Sequence, residues 1–235
     1  MNDVHYMETM MFCQRFSRES REPQSIFVSQ RLWHAITATL VLVVLTGSVL
    51  AIWLATHPIV TGTPMSIEQL DAWTFGPSAS GSASNGRLTL ATTTTNRPAY
   101  AASDLVLNDF IVQVRVTLLS GPDDAGYGLV VRHEGADDFV ALLIGPDGYI
   151  AIGQMRGGVW HWRVPWQQWP HIKRGAAENL LRAECRAGRC RFYVNDEFAF
   201  EIDDVPARGQ MGPAVWNPAP DGSVTAVFQE WRAWK

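Results

Sequence analysis

The sequence predicts an all-β antiparallel sandwich of jelly-roll type, preceded by one transmembrane α-helix. Three observations carry this. Residues 33–55 (WHAITATLVLVVLTGSVLAIWLA) run without Lys, Arg, Asp or Glu. From Ile67 onward, short apolar or alternating segments recur between Gly, Pro and Asp turns. Aromatics make up 11% of the chain, which contains ten Trp, and such residues fit a pleated surface better than a helix.

Residues 1–32 are expected to be a cytoplasmic tail, with four acids and four arginines. The apolar positions Met7, Met10, Met11, Phe12 and Phe16 leave two readings open: a short amphipathic helix on the inner membrane surface, or a disordered tail. Cys13 would then be a free thiol in a reducing compartment.

Residues 33–55 follow as the span. At about 1.5 Å per residue they reach roughly 35 Å, enough for a hydrocarbon core of about 30 Å. The long lead-in, the length of the apolar run and the lack of a small-residue cleavage site favour an anchor over a signal peptide. Arg15, Arg18, Arg21 and Arg31 precede the run, and the next Lys or Arg is Arg87. The positive-inside rule therefore places the N-terminus in the cytoplasm and the large domain outside, periplasmic or at the cell surface. Trp33 and Trp53 sit at the two interfaces. Thr39, Thr46, Gly47 and Ser48 are read as a small-residue face for helix packing in the bilayer.

Residues 56–66 are a Pro/Gly/Thr linker whose reach is at most about 35 Å. The outer domain takes residues 67–235. Asp109–Leu119 alternates, with Phe110, Val112, Val114, Val116 and Leu118 on one face. Tyr127–Arg132 and Phe139–Ile144 are continuous apolar runs, as in strands covered on both faces. GPDG at 145–148 turns into a strand at Tyr149–Met155, and RGG at 156–158 into Val159–Arg163. Asn179–Cys185 pairs with Cys190–Val194. In the next strand Phe198, Phe200 and Ile202 are expected inward. Val224–Trp231 closes the domain. PSASGSASNG (77–86) and ATTTTN (91–96) read as loops.

The net charge is −4 with no Lys/Arg cluster, which argues against a nucleic-acid partner. Cys185 and Cys190 flank RAGR across a short hairpin, on the oxidising side of the membrane. Antiparallel neighbours are close enough for a disulfide, so the two are expected to be bonded.

In order, YGLVVRHEGADDFVALLIGPDGYIAI, GVWHWRV, ENLLRAECRAGRCRFYVNDEFAFEI and GQMGPAVWNPAPDGSVTAVFQEWRAW resemble the concanavalin A-like lectin/glucanase jelly rolls. The likeness is greatest to the laminin-G-like and keto-disaccharide-hydrolase-type domains. The segments that carry it are Gly128–Arg132, Asp147–Tyr149, Asn179–Glu184, Phe192–Asp196, Gly209–Gly212 and Val224–Trp231. Asp196 stands where that pattern has Gly after Asn195, and Asp tolerates the turn. The resemblance implies the fold over residues 67–235. It leaves function open, because this superfold hosts lectins, hydrolases and interaction modules.

The glucanase branch uses E-x-D-x-x-E, with two carboxylates on one strand face. Here Glu201 and Asp203 are followed by Pro206 instead of the final Glu, so no catalytic residue is expected. Trp160, Trp162, Trp166 and Trp169 form the most prominent cluster. Trp160 and Trp162 share a strand face, and Trp166 and Trp169 follow in a loop broken by Pro165 and Pro170. Three readings stand for them: core or edge packing, a protein contact, or a stacking platform for a glycan. Asp123-Asp124 and Asp137-Asp138 lie in turns, and calcium is the one metal such acids would suit. His133, His161 and His171 lack zinc spacing, so no metal site or cofactor is expected.

The expected function is a single-pass, non-catalytic interaction module. The first reading is an accessory subunit docked on a larger membrane complex, one engaged in electron transfer among the candidates. The alternative is a membrane-tethered carbohydrate-binding module, with a glycoside-processing hydrolase third. The expected partners are the lipid bilayer, other membrane-protein subunits and a glycan.

Overall fold

A computed structural model of the chain describes residues 30–56, 65–66 and 72–235. The residues read as the cytoplasmic tail, including Cys13 and the Met7–Phe16 segment, lie outside the described residues, as does most of the linker. The chain divides into two compact units, one helical and one made of strands.

The helical unit is α1 (Gln30–Thr56), 27 residues. It extends the expected span by three residues at its start and one at its end. It is the one helix among the described residues long and apolar enough to cross a membrane, a property shared by anchors and signal sequences. Four of its hydroxyls are satisfied within the helix: Thr37 donates to the Trp33 carbonyl at 3.0 Å, Thr39 to Ala35 at 2.9 Å, Thr46 to Leu42 at 2.9 Å and Ser48 to Val44 at 2.8 Å. Such back-bonding lets an apolar environment hold a hydroxyl at low cost. The four small residues do not share one face. At about 100° per residue, Thr39 and Thr46 lie within roughly 20° of one another, Gly47 steps away, and Ser48 falls opposite Thr39.

The second unit comprises β1 (Met65–Ser66), β2 (Trp73–Phe75), β3 (Ser80–Ser84), β4 (Arg87–Thr92), β5 (Ala99–Ser103), β6 (Phe110–Ser120), β7 (Gly126–Gly135), β8 (Asp138–Ile144), β9 (Tyr149–Arg156), β10 (Val159–Gln168), β11 (Asn179–Arg186), β12 (Arg189–Val194), β13 (Glu197–Ile202), β14 (Gln210–Trp216) and β15 (Val224–Trp234). All its named strand pairs are antiparallel. One sheet runs β13-β12-β11-β6-β15-β4-β3, with β1 added against the end of β15. The other runs β10-β9-β8-β7-β14-β5-β2. Two stacked sheets that exchange strands along the chain make the jelly-roll sandwich.

Alternation decides which side chains meet between the sheets. Val112, Val114 and Val116 of β6, Leu181 and Ala183 of β11, and Ala226 and Phe228 of β15 face Leu129, Val131, Val140, Leu142 and Ile152 of the opposite sheet, all fully buried. Cys185 and Cys190 are direct partners in the β11–β12 register and form the expected disulfide, with Cα atoms 4.1 Å apart. The β12–β13 hairpin turns on Asn195 and Asp196, both with left-handed φ (53° and 69°), so Asp occupies the position the fold usually gives to Gly.

Three local expectations are corrected, and one irregularity in β15 is added to them. PSASGSASNG is not all loop: Ser80–Ser84 is an edge strand held by backbone pairing with β4, and Asn85-Gly86 is the left-handed hairpin turn. Its side chains are all exposed, so no hydrophobic period announced it. In β13, a register break opposite Phe192/Tyr193 turns Ala199 inward and leaves Phe198 exposed, against the expected alternation. Glu230 takes a left-handed φ of 53°, and this irregularity in β15 brings Trp231 back into the core after Phe228. Trp166 is not in a loop, because β10 runs on to Gln168.

Candidate functional site

The outer face of the seven-stranded sheet is apolar. Tyr100, Val130, Phe139, Ala141, Leu143, Met155, Ala214 and Trp216 form a second buried cluster there, with Trp160, Trp162 and Trp166 packed on it. The end strand β10 supplies this cover. Two irregularities in its pairing with β9, after Trp162 and after Val164, set the pattern. Trp160, Trp162 and Trp166 turn to the outer face, while Val164 and Trp169 pack against the core between the sheets. Of the four Trp singled out from sequence, three thus come together. Trp169 goes elsewhere, beside Phe200 at a ring separation of 5.6 Å.

β10 and β14 are four strand spacings apart, roughly 19 Å. The indoles lie across the face and bridge that span: Trp216 of β14 meets Trp160 at 5.6 Å and Trp162 at 5.2 Å between ring centroids. Small residues beneath leave room for the rings. A Cβ on Gly153 would overlap the Trp160 ring, and one on Gly126 would lie 2.9 Å from the Trp216 Cβ and 3.2 Å from the Trp166 ring. Trp160 and Trp216 are stacked, whereas Trp162 stands edge-on to Trp160 at 5.3 Å and tilted 57° to Trp166 at 5.8 Å. The rings form an angled corner, not a flat shelf.

That corner opens into a cleft of about 420 Å³ lined by Asn96, Asp124, Asp147, Tyr149, Trp162, Trp166, Trp216 and Pro218. Its polar groups come from loops that hydrogen bonds hold in place. Asp147 accepts the Tyr149 amide at 3.1 Å within the 145–148 turn, and Trp169 N–H donates to the Gly148 carbonyl at 2.9 Å. Buried Asn217 ties the 93–96 loop to the 217–222 loop. Its Nδ2 donates to Thr93 and Gly222 carbonyls, its Oδ1 accepts Ala219 N–H, and its own carbonyl accepts Asn96 N–H at 3.0 Å. This lattice fixes Asn96, Trp216 and Pro218 around the opening.

The chemistry available is recognition by stacking and hydrogen bonding. The half-buried indoles of Trp162 and Trp166 suit an apolar ring surface, and two carboxylates, an amide and a phenol accept or donate to hydroxyls. Asp124 and Asp147 belong to this cleft, a placement the sequence reading missed. Asp123-Asp124 and Asp137-Asp138 sit at opposite ends of β7, about 30 Å apart by strand rise, so the two acidic pairs do not converge on one ion. Among the described residues no group of three or more His, Cys, Asp or Glu is placed to hold a metal.

The other singled-out residues lie apart. Glu201 is on β13 of the opposite sheet and is ion-paired with Arg191 and with Arg189 at 3.3 Å; the Arg191 hydrogen bond holds its carboxyl below the usual range. Asp203 faces Arg163 at 3.5 Å. His133 is buried on the aromatic face, its ring 4.6 Å from Tyr100 and tilted 55° to it, with Nδ1 2.9 Å from Gln210 Oε1; burial pushes its pKa down. Arg132, fully buried, donates to the carbonyls of Asn108 and Ala207 and lies 5.1 Å over the Phe110 ring. It is an internal clamp for the loops at that end, not a surface charge.

Asn96, Trp216 and Tyr149 were not singled out from sequence. Trp216 shares strand parity with Ala214 of the outer face, a signal readable only once β14 is known to lie inside the sheet.

No protein-family profile matches the sequence, and no curated protein matches it. Solved structures do match. A carbohydrate-binding module, CBM66, from Bacillus subtilis aligns with a TM-score of 0.57 at 18% identity, over 69% of this chain and 95% of that one. A functionally unknown protein from Saccharomyces cerevisiae gives 0.53 at 18%, over 70% and 97%. A glycosyl hydrolase-like protein from Parabacteroides distasonis gives 0.50 at 14%, over 74% and 98%. Identity at this level speaks to fold alone: the strand unit shares an antiparallel two-sheet sandwich with these structures.

Proposed function

We propose that the sandwich is a carbohydrate-binding module without catalysis of its own, held at a membrane by α1. The observation that carries this is the cleft on the outer face of the seven-stranded sheet, where Trp162, Trp166 and Trp216 meet Asn96, Asp124 and Asp147. Sugar rings have one apolar face and a rim of hydroxyls. The angled indoles take the face, and the side-chain oxygens and amide take the rim. The similarity to a carbohydrate-binding module supports the reading. The ion pairing of Glu201 and the absence of a third acidic residue at Pro206 support a binding role over hydrolysis. The helix, with its internally bonded hydroxyls, supports an anchor.

The test is glycan retention by the full chain in detergent micelles or nanodiscs. The wild type is expected to bind a polysaccharide, and Trp166→Ala to weaken binding about tenfold or more, at the scale of one buried aromatic anchor. No retention on any glycan, together with stoichiometric co-purification of membrane enzymes, would favour the docking subunit instead.

A further inference from the structure

We infer that the cleft selects by charge: it takes neutral or amine-bearing sugars and rejects uronate-, sialate- and sulfate-bearing ones. This rests on the glycan-binding reading and adds a ligand class to it.

The lining holds two carboxylates, Asp124 and Asp147, and no Lys, Arg or His. Neither carboxylate is in an ion pair among the described residues. Asp147 uses Oδ1 to accept the Tyr149 amide, which leaves Oδ2 for a ligand. An ionised carboxylate is an acceptor only, so it matches a hydroxyl or an ammonium and repels another anion.

The neighbouring cations are engaged or outside. Arg163 donates to Gln154 Oε1 at 2.7 Å and to the Asp203 carbonyl at 2.9 Å. Arg97, next to Asn96, lies 3.8 Å from Asp137. Arg174 packs across Gly148 but does not line the cleft. The rest of the lining is aromatic or apolar apart from Asn96, and aromatic walls strengthen a charge–charge contact relative to open water. Arg174 has no ion-pair partner among the described residues but stands outside the lining, so an acidic sugar in the cleft meets two like charges and no lining cation, a juxtaposition that costs enough for at least about tenfold discrimination.

The experiment uses the full chain in nanodiscs of uncharged lipid. It is presented to an array of neutral, N-deacetylated, and uronate-, sialate- or sulfate-bearing oligosaccharides. Signal is expected on neutral and amine-bearing spots only. For the strongest neutral binder, its uronate analogue is expected to bind at least about tenfold more weakly at low salt. That ratio narrows at high salt, where the Debye length is a few ångströms. Asp124→Asn with Asp147→Asn is expected to bring the ratio to within about threefold, whatever it does to the neutral affinity itself, while Trp166→Ala weakens both ligands in parallel.

Acidic spots as strong as neutral ones, or a ratio unmoved in the double variant, overturn the charge rule and leave the glycan reading standing. A blank array overturns both. Thermal unfolding of each variant at the wild-type temperature shows that a lost signal comes from the cleft and not from misfolding.

Discussion

The two outer faces of the sandwich are built from the same alternating strands and end differently. On the eight-stranded sheet the outward positions are charged and paired. Arg115 bridges Glu178 and Glu230 at 2.9 Å each, Arg182 lies 4.1 Å over Tyr193 and 3.3 Å from Glu184, and Arg191 and Arg189 hold Glu201. On the seven-stranded sheet the outward positions are Val130, Phe139, Ala141, Leu143 and Ala214, and no charge covers them; three Trp from β10 and one from β14 do. The first face is covered by its own side chains and water, with Arg182 and Tyr193 buried against one another. The second needed an aromatic lid, and the lid's edge makes the cleft. A sheet that is apolar on both faces is thus the structural origin of the site, and the site is a by-product of how that second face is covered.

The comparison can be broken most strongly at Trp216, which is buried and stacked with Trp160 on the covered face. Trp216→Ala should cost about 3–5 kcal/mol of unfolding free energy, the range for a large aromatic cavity, and should abolish the cleft with it. Chemical denaturation followed by near-ultraviolet circular dichroism measures it. A loss below about 1 kcal/mol would mean that the lid is loose and the two faces are not different in kind.

The core beneath both faces gives the next effect. Tyr127 is fully buried between the sheets, and burial pushes its phenol up to about 12 from 10.0. The folded chain holds that proton more tightly than the unfolded chain. Its contribution is therefore complete below pH 10 and is lost as pH rises toward 12, amounting to about 2–3 kcal/mol for two pH units. Tyr127→Phe should remove that part of the alkaline slope in an unfolding series from pH 9 to 12.

The smallest effect belongs to the charged face. Glu201→Gln removes an exposed pair partner and should change stability by less than about 1 kcal/mol, with no change in glycan affinity. The Arg191 and Arg189 contacts depress the Glu201 carboxyl, so what stability the pair supplies is present above the ordinary carboxylate range and lost as pH falls through the lowered value. A turnover of any glycoside that Glu201→Gln abolished would reverse the assignment of roles to the two faces.

Much of the fold was legible because period-2 alternation and turn residues are local. The strand at residues 110–120, the two continuous apolar runs, the Cys185–Cys190 pair and the left-handed turn at Asn195-Asp196 all followed from neighbours in sequence. What was not legible depends on backbone irregularities or on distance. The left-handed φ at Glu230 and the register break in β13 each reverse side-chain parity without a residue type that announces it, and Pro165 marks a break in β10 without telling that the strand resumes beyond it. β3 carries no apolar residue larger than Ala and exists by pairing alone. At the site, Trp160, Trp162 and Trp166 were visible as a cluster. Their partner Trp216 comes from a strand some fifty residues later and joins them because the indoles lie across the strands between. Asp124 and Asp147 read as ordinary turn acids for the same reason.

The central claim is that the covered face, and not the charged one, meets the ligand. Oxidation of tryptophan by N-bromosuccinimide, mapped by peptide mass spectrometry on the full chain with and without its strongest array glycan, tests it directly. The account predicts glycan-dependent protection at Trp162 and Trp166, with none at Trp33 of the helix. Unchanged labelling of Trp162 and Trp166 in the presence of saturating glycan, or protection confined to other residues, would contradict it.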